Sequence, residues 1–187
     1  DLLPELRRAC SIYGVLNIEA GAPARGLEYA IKAAEIGRQI DDQMAIAAAW
    51  SNMTGALFGM GLYRETIAVA LRTMRQFKDD ARCAVIVASA RTNLASAALA
   101  LSHYALASDS ARDSVAVLGV PRDAMGILNR VIAESVWMKA AIGLDQREVV
   151  DDRIAFLRGM SGAFKSPRLQ LNHLLAEAAY ESYAGDL

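Results

Sequence analysis

The amino-acid sequence predicts an all-α protein, an α-solenoid of stacked antiparallel helix pairs with about nine helices. Its turn residues Gly21, Gly61, Ser102, Gly143 and Gly185 recur at intervals of 40, 41, 41 and 42 residues, and repetition at such a period is typical of a solenoid. No segment alternates apolar and polar residues over more than a few positions, so strands are not expected. With 187 residues, 54% of them hydrophobic and only 4 prolines, the chain has enough apolar surface for a continuous core.

Apolar residues at helical spacing, bounded by turn and cap residues, define the elements in order. The predicted helices span residues 6–18, 24–40, 44–60, 65–77, 81–101, 105–118, 122–142, 147–160 and 169–183. The acidic pairs Asp41-Asp42 and Asp79-Asp80 stand where N-caps belong, because a carboxylate there can accept from free N–H groups of the first turn.

The helices group into pairs within a single domain of residues 1–187. The repeat units are approximately 4–40, 41–78, 79–119, 121–162 and a partial 167–187. Gly185 falls where a turn is due, and its second helix is missing. We therefore expect the chain to be a fragment of a longer multidomain protein.

Charge and cysteine content narrow the partners and the location. The 20 basic and 21 acidic residues give a net charge of −1, which offers no concentrated positive surface for nucleic acid or for an anionic membrane. Residues 44–63 carry no charged side chain, but Ser51 and Asn52 among them favour a buried helix over a membrane span. Cys10 and Cys83 have no partners at metal-ligand spacing and are expected to be buried thiols, so a cytoplasmic location is predicted.

The residues around the two central turns resemble the tetratricopeptide repeat family. The matching residues are Trp50, Asn52, Met53 and Gly61 in the second unit and Asn93, Leu94, Ala95, Tyr104 and Ala107 in the third. The resemblance implies a right-handed solenoid in which the first helices of successive pairs line a concave groove. The period exceeds the roughly 34 residues of that family. It resembles the degenerate repeats of bacterial signalling and transcriptional regulators, in which such an array is a sensory or regulatory segment ahead of an output domain.

By that resemblance, seven residues of the first helices face the groove and are candidates for binding a partner: Ser51, Asn52, Ser89, Thr92, Asn93, Arg130 and Trp137. Asn52 and Asn93 occupy equivalent places in adjacent helices and can hydrogen-bond the main chain of an extended peptide; the alternative is that each satisfies a neighbouring helix. Trp137 can anchor a partner or belong to the core, where Trp50 is expected.

Motifs of catalysis and cofactor binding are missing from the sequence. It contains no glycine-rich phosphate loop, zinc-protease helix or nucleophile elbow, and no metal-ligand set is expected around His103 or His173. We therefore predict no catalytic residue, cofactor or metal in this segment, and any enzymatic activity would lie in another domain.

The function predicted from these observations is a regulatory interaction module. It would bind a protein or peptide partner, or another domain of the same chain, and control an attached output domain. The resemblance implies a diguanylate cyclase or a helix-turn-helix DNA-binding domain for that role. Direct contact of this segment with nucleic acid or membrane is not predicted. Two alternatives stay open: a pocket for a small-molecule or peptide signal, and a dimerisation scaffold that forms a homodimer through the helix at 169–183.

Overall fold

A computed structural model of the chain describes residues 2–120, 124–160 and 167–185. Over those residues it confirms the all-helical prediction, with nine α-helices, one short 3-10 turn and no strand. The predicted helix start at residue 122 and the connector at 161–166 lie outside the described residues. The chain divides into two compact units, Asp1–Ala97 and Ala98–Leu187, with the division inside one helix.

Unit 1 is a run of consecutive helices. It holds α1 (Leu3–Glu19), α2 (Pro23–Gln39), α3 (Gln43–Gly59), α4 (Tyr63–Phe77), a 3-10 turn (Ala81–Cys83) and the start of α5 (Ala84–Ala100). Short turns join the helices, so neighbours run in opposite directions. α1 packs on α2 and α3, α2 packs on α3, and α3 packs on α4, which is the sequential packing that a helical solenoid requires.

Two of the predicted caps are present in unit 1. The carboxylate of Asp42 accepts from the N–H of Ala45 at 3.0 Å and begins α3. The carboxylate of Asp80 accepts from the N–H of Arg82 at 3.0 Å and begins the 3-10 turn that precedes α5. Both carboxylates satisfy N–H groups that the first helical turn leaves free.

Unit 2 repeats the arrangement. It holds the end of α5, then α6 (Tyr104–Leu118), α7 (Ala124–Gly143), α8 (Arg147–Met160) and α9 (Pro167–Gly185). α6 packs on α7, α7 packs on α8 and α9, and α8 packs on α9. α7 therefore has a neighbour on several sides, which buries much of its surface.

The first helix of each pair ends in the same kind of turn. Gly21, Gly61, Ser102 and Asp145 take the left-handed backbone conformation, with φ of 77°, 74°, 58° and 54°. In all four turns the N–H of the next residue bonds the carbonyl five positions back, at 2.8–3.0 Å. This hydrogen bond satisfies a carbonyl of the last helical turn and reverses the chain.

The fourth turn lies within the predicted residues 143–145, and Gly143 has a different role there from Gly21 and Gly61. Gly143 is the last residue of α7, and Asp145 takes the left-handed conformation instead; aspartate tolerates that conformation better than most residues. Gly143 serves close packing, because a Cβ atom there would lie 2.6 Å from the ring of Tyr104 at the start of α6. Gly185 is likewise the last helical residue of α9, and the expected turn at 186–187 lies outside the described residues.

Each unit has its own hydrophobic core. In unit 1, Trp50 packs edge-on against Phe77 with ring centroids 5.7 Å apart, and the free thiols of Cys10 and Cys83 belong to the same buried cluster. Trp50 is thus the core residue that the sequence predicts. The core of unit 2 consists mainly of Val131, Met138, Ala141, Val150, Ile154, Leu157, Leu169 and Ala176.

One described stretch, Ala81–Ala100, is long and apolar enough to cross a membrane. In the structure 44% of its most apolar window is buried. A core helix of a soluble protein passes the same test of length and composition, so this single stretch is weak evidence for a membrane span.

Candidate functional site

A cleft of about 290 Å³ lies between the first helices α1 and α3 of unit 1. Its lining consists of Ser11, Ile12, Val15 and Leu16 from α1 and Asn52 from α3, and we call it the first-helix cleft. Ile12 is 59% exposed and Leu16 is 56% exposed, although both are large apolar side chains. The cleft is therefore an open apolar surface that contains two polar residues.

Neither polar residue of the first-helix cleft has its hydrogen-bonding capacity used. The hydroxyl oxygen of Ser11 is buried and has no hydrogen-bond partner. The side-chain amide of Asn52, which can donate twice and accept twice, bonds to no residue in the described part of the chain. The Asn52 amide lines the open cleft, so a ligand that supplies it with a hydrogen-bond partner would gain free energy.

Asn93 differs from Asn52, although the sequence places them equivalently. Its Nδ2 donates to Oγ1 of Thr54 at 2.8 Å, and that hydroxyl donates in turn to the carbonyl of Ser51 at 2.6 Å. The structure thus uses Asn93 to join α5 to α3 through a threonine side chain. Asn52, by contrast, lines the first-helix cleft.

The other small polar candidates bond to their own helices. The hydroxyl of Ser89 donates to the carbonyl of Val85 at 3.1 Å, and that of Thr92 donates to the carbonyl of Ala88 at 3.1 Å. Such bonds to the preceding turn are the common way for these residues to be satisfied within a helix. Thr92 is only 2% exposed and Ser51 only 8%, so both lie within the helix packing.

In unit 2, Glu134 forms a buried ion triad with Arg130 and Arg153. Glu134 is 0% exposed, and its Oε1 accepts from Nε of Arg130 at 2.8 Å while its Oε2 accepts from Nη1 of Arg153 at 3.1 Å. Nη1 of Arg130 also donates to the carbonyls of Val115 and Gly119, both at 2.8 Å. The triad therefore joins the end of α6 to α7 and α8.

Trp137 lies one turn beyond Glu134 on the same face of α7. The guanidinium of Arg153 stacks over its ring at 4.5 Å from the centroid. Arg130 stands over the ring of Phe156 in the same way, at 5.0 Å. Arg130 and Trp137 therefore both lie beside the second helices α6 and α8. The resemblance predicts instead that both face the groove that the first helices line.

Trp137 lines a second cleft, of about 460 Å³, which we call the second-helix cleft. Its other residues come from α6, from the turn after α7 and from α8: Ala105, Ser108, Asp109, Arg112, Leu144, Gln146 and Val149. The lining combines an aromatic ring and aliphatic side chains with polar groups. That combination, and the volume, are typical of sites for small ligands or single peptide side chains.

Burial shifts the pKa of Cys83 and of Lys139, two titratable groups in the described residues. Burial raises the pKa of the Cys83 thiol, with Asp80 adding to the effect, which disfavours the reactive thiolate. Burial lowers the pKa of Lys139 on α7. Among the residues that the structure describes, no group of three or more His, Cys, Asp or Glu side chains is placed to hold a metal ion.

Comparison with known proteins gives no relative: no protein-family model, curated protein or solved structure matches the chain.

Sequence reasoning missed several residues of both sites. Ser108 and Gln146 occur in sequence contexts with no motif, and only the packing of α6 and α8 brings them to Trp137. One local signal was present: Arg130, Glu134 and Trp137 follow each other at spacings of four and three, which places them on one helix face. No sequence pattern indicates that Arg153 completes the triad.

Proposed function

We propose that this chain is a tetratricopeptide-like interaction module that binds a peptide or helix of a partner protein in the first-helix cleft, without catalysis. The observation that carries the proposal is the unpartnered side-chain amide of Asn52 in an otherwise apolar cleft. Peptide-binding grooves need both features, since the apolar surface supplies affinity and a few polar groups fix the position of the ligand.

The apolar part of the cleft suits a helical partner. Ile12, Val15 and Leu16 stand at helical spacing on α1, so they form a ridge that the apolar face of another helix can cover. Covering the exposed halves of Ile12 and Leu16 would stabilise a complex by about 2 kcal/mol, and one hydrogen bond to Asn52 would add about 1 kcal/mol. These are modest gains, so we expect a transient complex.

The proposal includes control of an attached output domain. In this proposal, occupancy of the first-helix cleft changes the activity of a diguanylate cyclase or a helix-turn-helix DNA-binding domain in the same protein. The support is the resemblance of the repeats to those of such regulators, together with the nearly balanced charge of 20 basic and 21 acidic residues, which disfavours direct binding of this segment to nucleic acid.

Peptide selection against the purified chain tests the proposal. Peptides enriched from a random displayed library would be synthesised with a fluorescent label, and their binding measured by fluorescence anisotropy. We expect Asn52→Ala to weaken binding about fivefold, the effect of losing one hydrogen bond worth about 1 kcal/mol. Asn17→Ala is the matched control, because the Asn17 amide already donates to the carbonyl of Tyr13 within its own helix.

A second pair of variants tests the apolar surface. Leu16→Asp should abolish binding, since it places a charge in the cleft. Leu171→Asp on α9 should leave binding unchanged, and the two leucines are equally exposed, at 56% each. Selected peptides that bind Leu16→Asp and Asn52→Ala as tightly as the unmodified chain would refute the first-helix cleft as the site.

A second candidate function, self-association, is favoured by α9. Leu171, Leu174 and Leu175 on this helix are 56%, 63% and 50% exposed, a cluster of large apolar side chains on one face. If α9 is the contact, sedimentation equilibrium should show a dimer that Leu174→Asp dissociates. A monomeric unmodified chain at all accessible concentrations would exclude it.

A further inference from the structure

The second-helix cleft has the properties of a recognition site that shares no residue with the first-helix cleft. Trp137 lies between α6 and α8, with Leu144 and Val149 as its apolar neighbours in the lining. Its volume of about 460 Å³ accommodates a large side chain with its flanking main chain.

The aromatic ring in this cleft is held in place before any ligand arrives. Arg153 stacks on Trp137 at 4.5 Å, and its guanidinium is fixed by the fully buried carboxylate of Glu134 at 3.1 Å. Arg130 holds the same carboxylate from the other side. A ring that is already stacked on a fixed guanidinium loses less conformational entropy on binding than a free one, which is the usual benefit of a preorganised site.

The polar groups that are free in the cleft are neutral. The hydroxyl of Ser108, the indole N–H of Trp137 and the amide of Gln146 form no hydrogen bond within the described ranges. The two charged residues of the lining already pair with each other, because Nη2 of Arg112 lies 2.9 Å from Oδ1 of Asp109. The unused groups thus include both donors and acceptors and carry no net charge, which is the pattern that complements an amide.

We propose that the second-helix cleft binds an aromatic residue of an extended peptide segment, whose side chain packs on Trp137 and whose main-chain amides bond to Gln146 and Ser108. The Gln146 amide can donate to a peptide carbonyl and accept from a peptide N–H at once. The aromatic side chain adds ring packing on a tryptophan, which is favourable beyond the area it buries. This inference does not depend on the first-helix cleft.

A fluorescence titration tests it directly. The probe is the blocked tripeptide acetyl-Ala-Phe-Ala-amide, which has no tryptophan emission of its own, added to the full chain carrying Trp50→Phe so that Trp137 is the remaining reporter. We expect a saturable change in emission, and none with acetyl-Ala-Ala-Ala-amide. Gln146→Ala and Ser108→Ala should each weaken binding about fivefold, the usual ratio for one lost hydrogen bond. Gln39→Ala, at another exposed glutamine, should not.

Each other outcome overturns the proposal. If the titration does not saturate up to the solubility limit of the peptide, the second-helix cleft is not the proposed site. If the double variant Gln146→Ala/Ser108→Ala binds with unchanged affinity, the proposed polar contacts are refuted. Free L-phenylalanine that binds as tightly as the blocked tripeptide would show that the cleft takes a charged zwitterion and not a neutral amide. If Trp50→Phe impairs folding, isothermal calorimetry on the otherwise unmodified chain measures the same affinities.

Discussion

Glu134→Gln is the substitution whose cost the structure defines best. Glutamine keeps the shape of the side chain and one acceptor oxygen but removes the negative charge between two guanidinium groups. The side chains of Arg130 and Arg153 are only 14% and 21% exposed, so water replaces little of the lost interaction. Removing one partner from a buried ion pair costs about 3–5 kcal/mol. Arg130 keeps its two bonds to the end of α6, so we expect the lower end, about 3 kcal/mol.

Urea unfolding, monitored by circular dichroism, measures this loss of stability. The free energy of unfolding comes from the midpoint and the slope, and the slope should stay the same if only stability changes. The control is Asp109→Asn, which breaks the pair with Arg112 on the same unit. Those two side chains are 64% and 56% exposed, so the loss should stay below about 1 kcal/mol.

The stability losses of Glu134→Gln and Asp109→Asn, compared with each other, test whether burial makes the triad stronger than a surface pair. If Glu134→Gln costs no more than Asp109→Asn, the buried triad contributes nothing beyond a surface pair. The preorganisation of Trp137 would then lack its structural basis, because Arg153 would not need Glu134 to stay in place.

Three further predictions concern packing, capping and pH. Gly143→Ala should destabilise the protein by about 1–3 kcal/mol, because the new Cβ atom would lie 2.6 Å from the Tyr104 ring. The control is Gly159→Ala, which should be neutral or stabilising, because no atom lies within 4 Å of a Cβ atom there. Equal melting temperatures for the two variants would contradict this prediction. Asp42→Ala should lower the free energy of unfolding by about 1 kcal/mol, because it removes the cap on the Ala45 N–H. The control is Asp79→Ala, which should leave the denaturation midpoint unchanged, since the Asp79 side chain is 88% exposed. The hydrogen bond from Arg158 holds the pKa of Glu177 below its usual 4.5. Because the folded-state pKa is depressed, the Arg158–Glu177 pair stabilises the fold at a pH above the unfolded pKa, and this stabilisation is lost as the pH falls toward the folded pKa. The difference in free energy of unfolding between the unmodified chain and Arg158→Gln should therefore shrink below about pH 4.5. A difference that is constant with pH would argue against the pair.

Most of the helices were predictable because their signals are local. The predicted helix at 147–160 coincides with α8, and the end predicted for the fourth helix, Phe77, is the one observed. The caps at Asp42 and Asp80 follow from the preference of aspartate for free N–H groups at a helix start. The turns at Gly61 and Ser102 were predictable from the repeat, although only the first is a glycine.

The candidate site was less predictable, because the register of a helix face depends on its neighbours. Asn52 and Asn93 stand 41 residues apart at equivalent places, yet Thr54 binds only Asn93 and leaves Asn52 in the cleft. Trp137 follows the groove register by sequence, but in the structure its ring stacks with Arg153 on α8. A few tens of degrees of rotation about the helix axis decides such placements, and the sequence does not encode that angle locally.

The sequence by itself determined the all-helical fold, the helix boundaries to within a few residues, the caps and the period, because each depends on contacts within a few residues of the chain. The tertiary structure alone decided the tasks of Gly143, Glu134 and Trp137. Gly143 makes room for a ring 39 positions earlier, and the fully buried Glu134 pairs with an arginine 19 positions later. The regular turn spacing indicates how many helices the chain forms. How those helices pack decides which side chains stay available to a ligand.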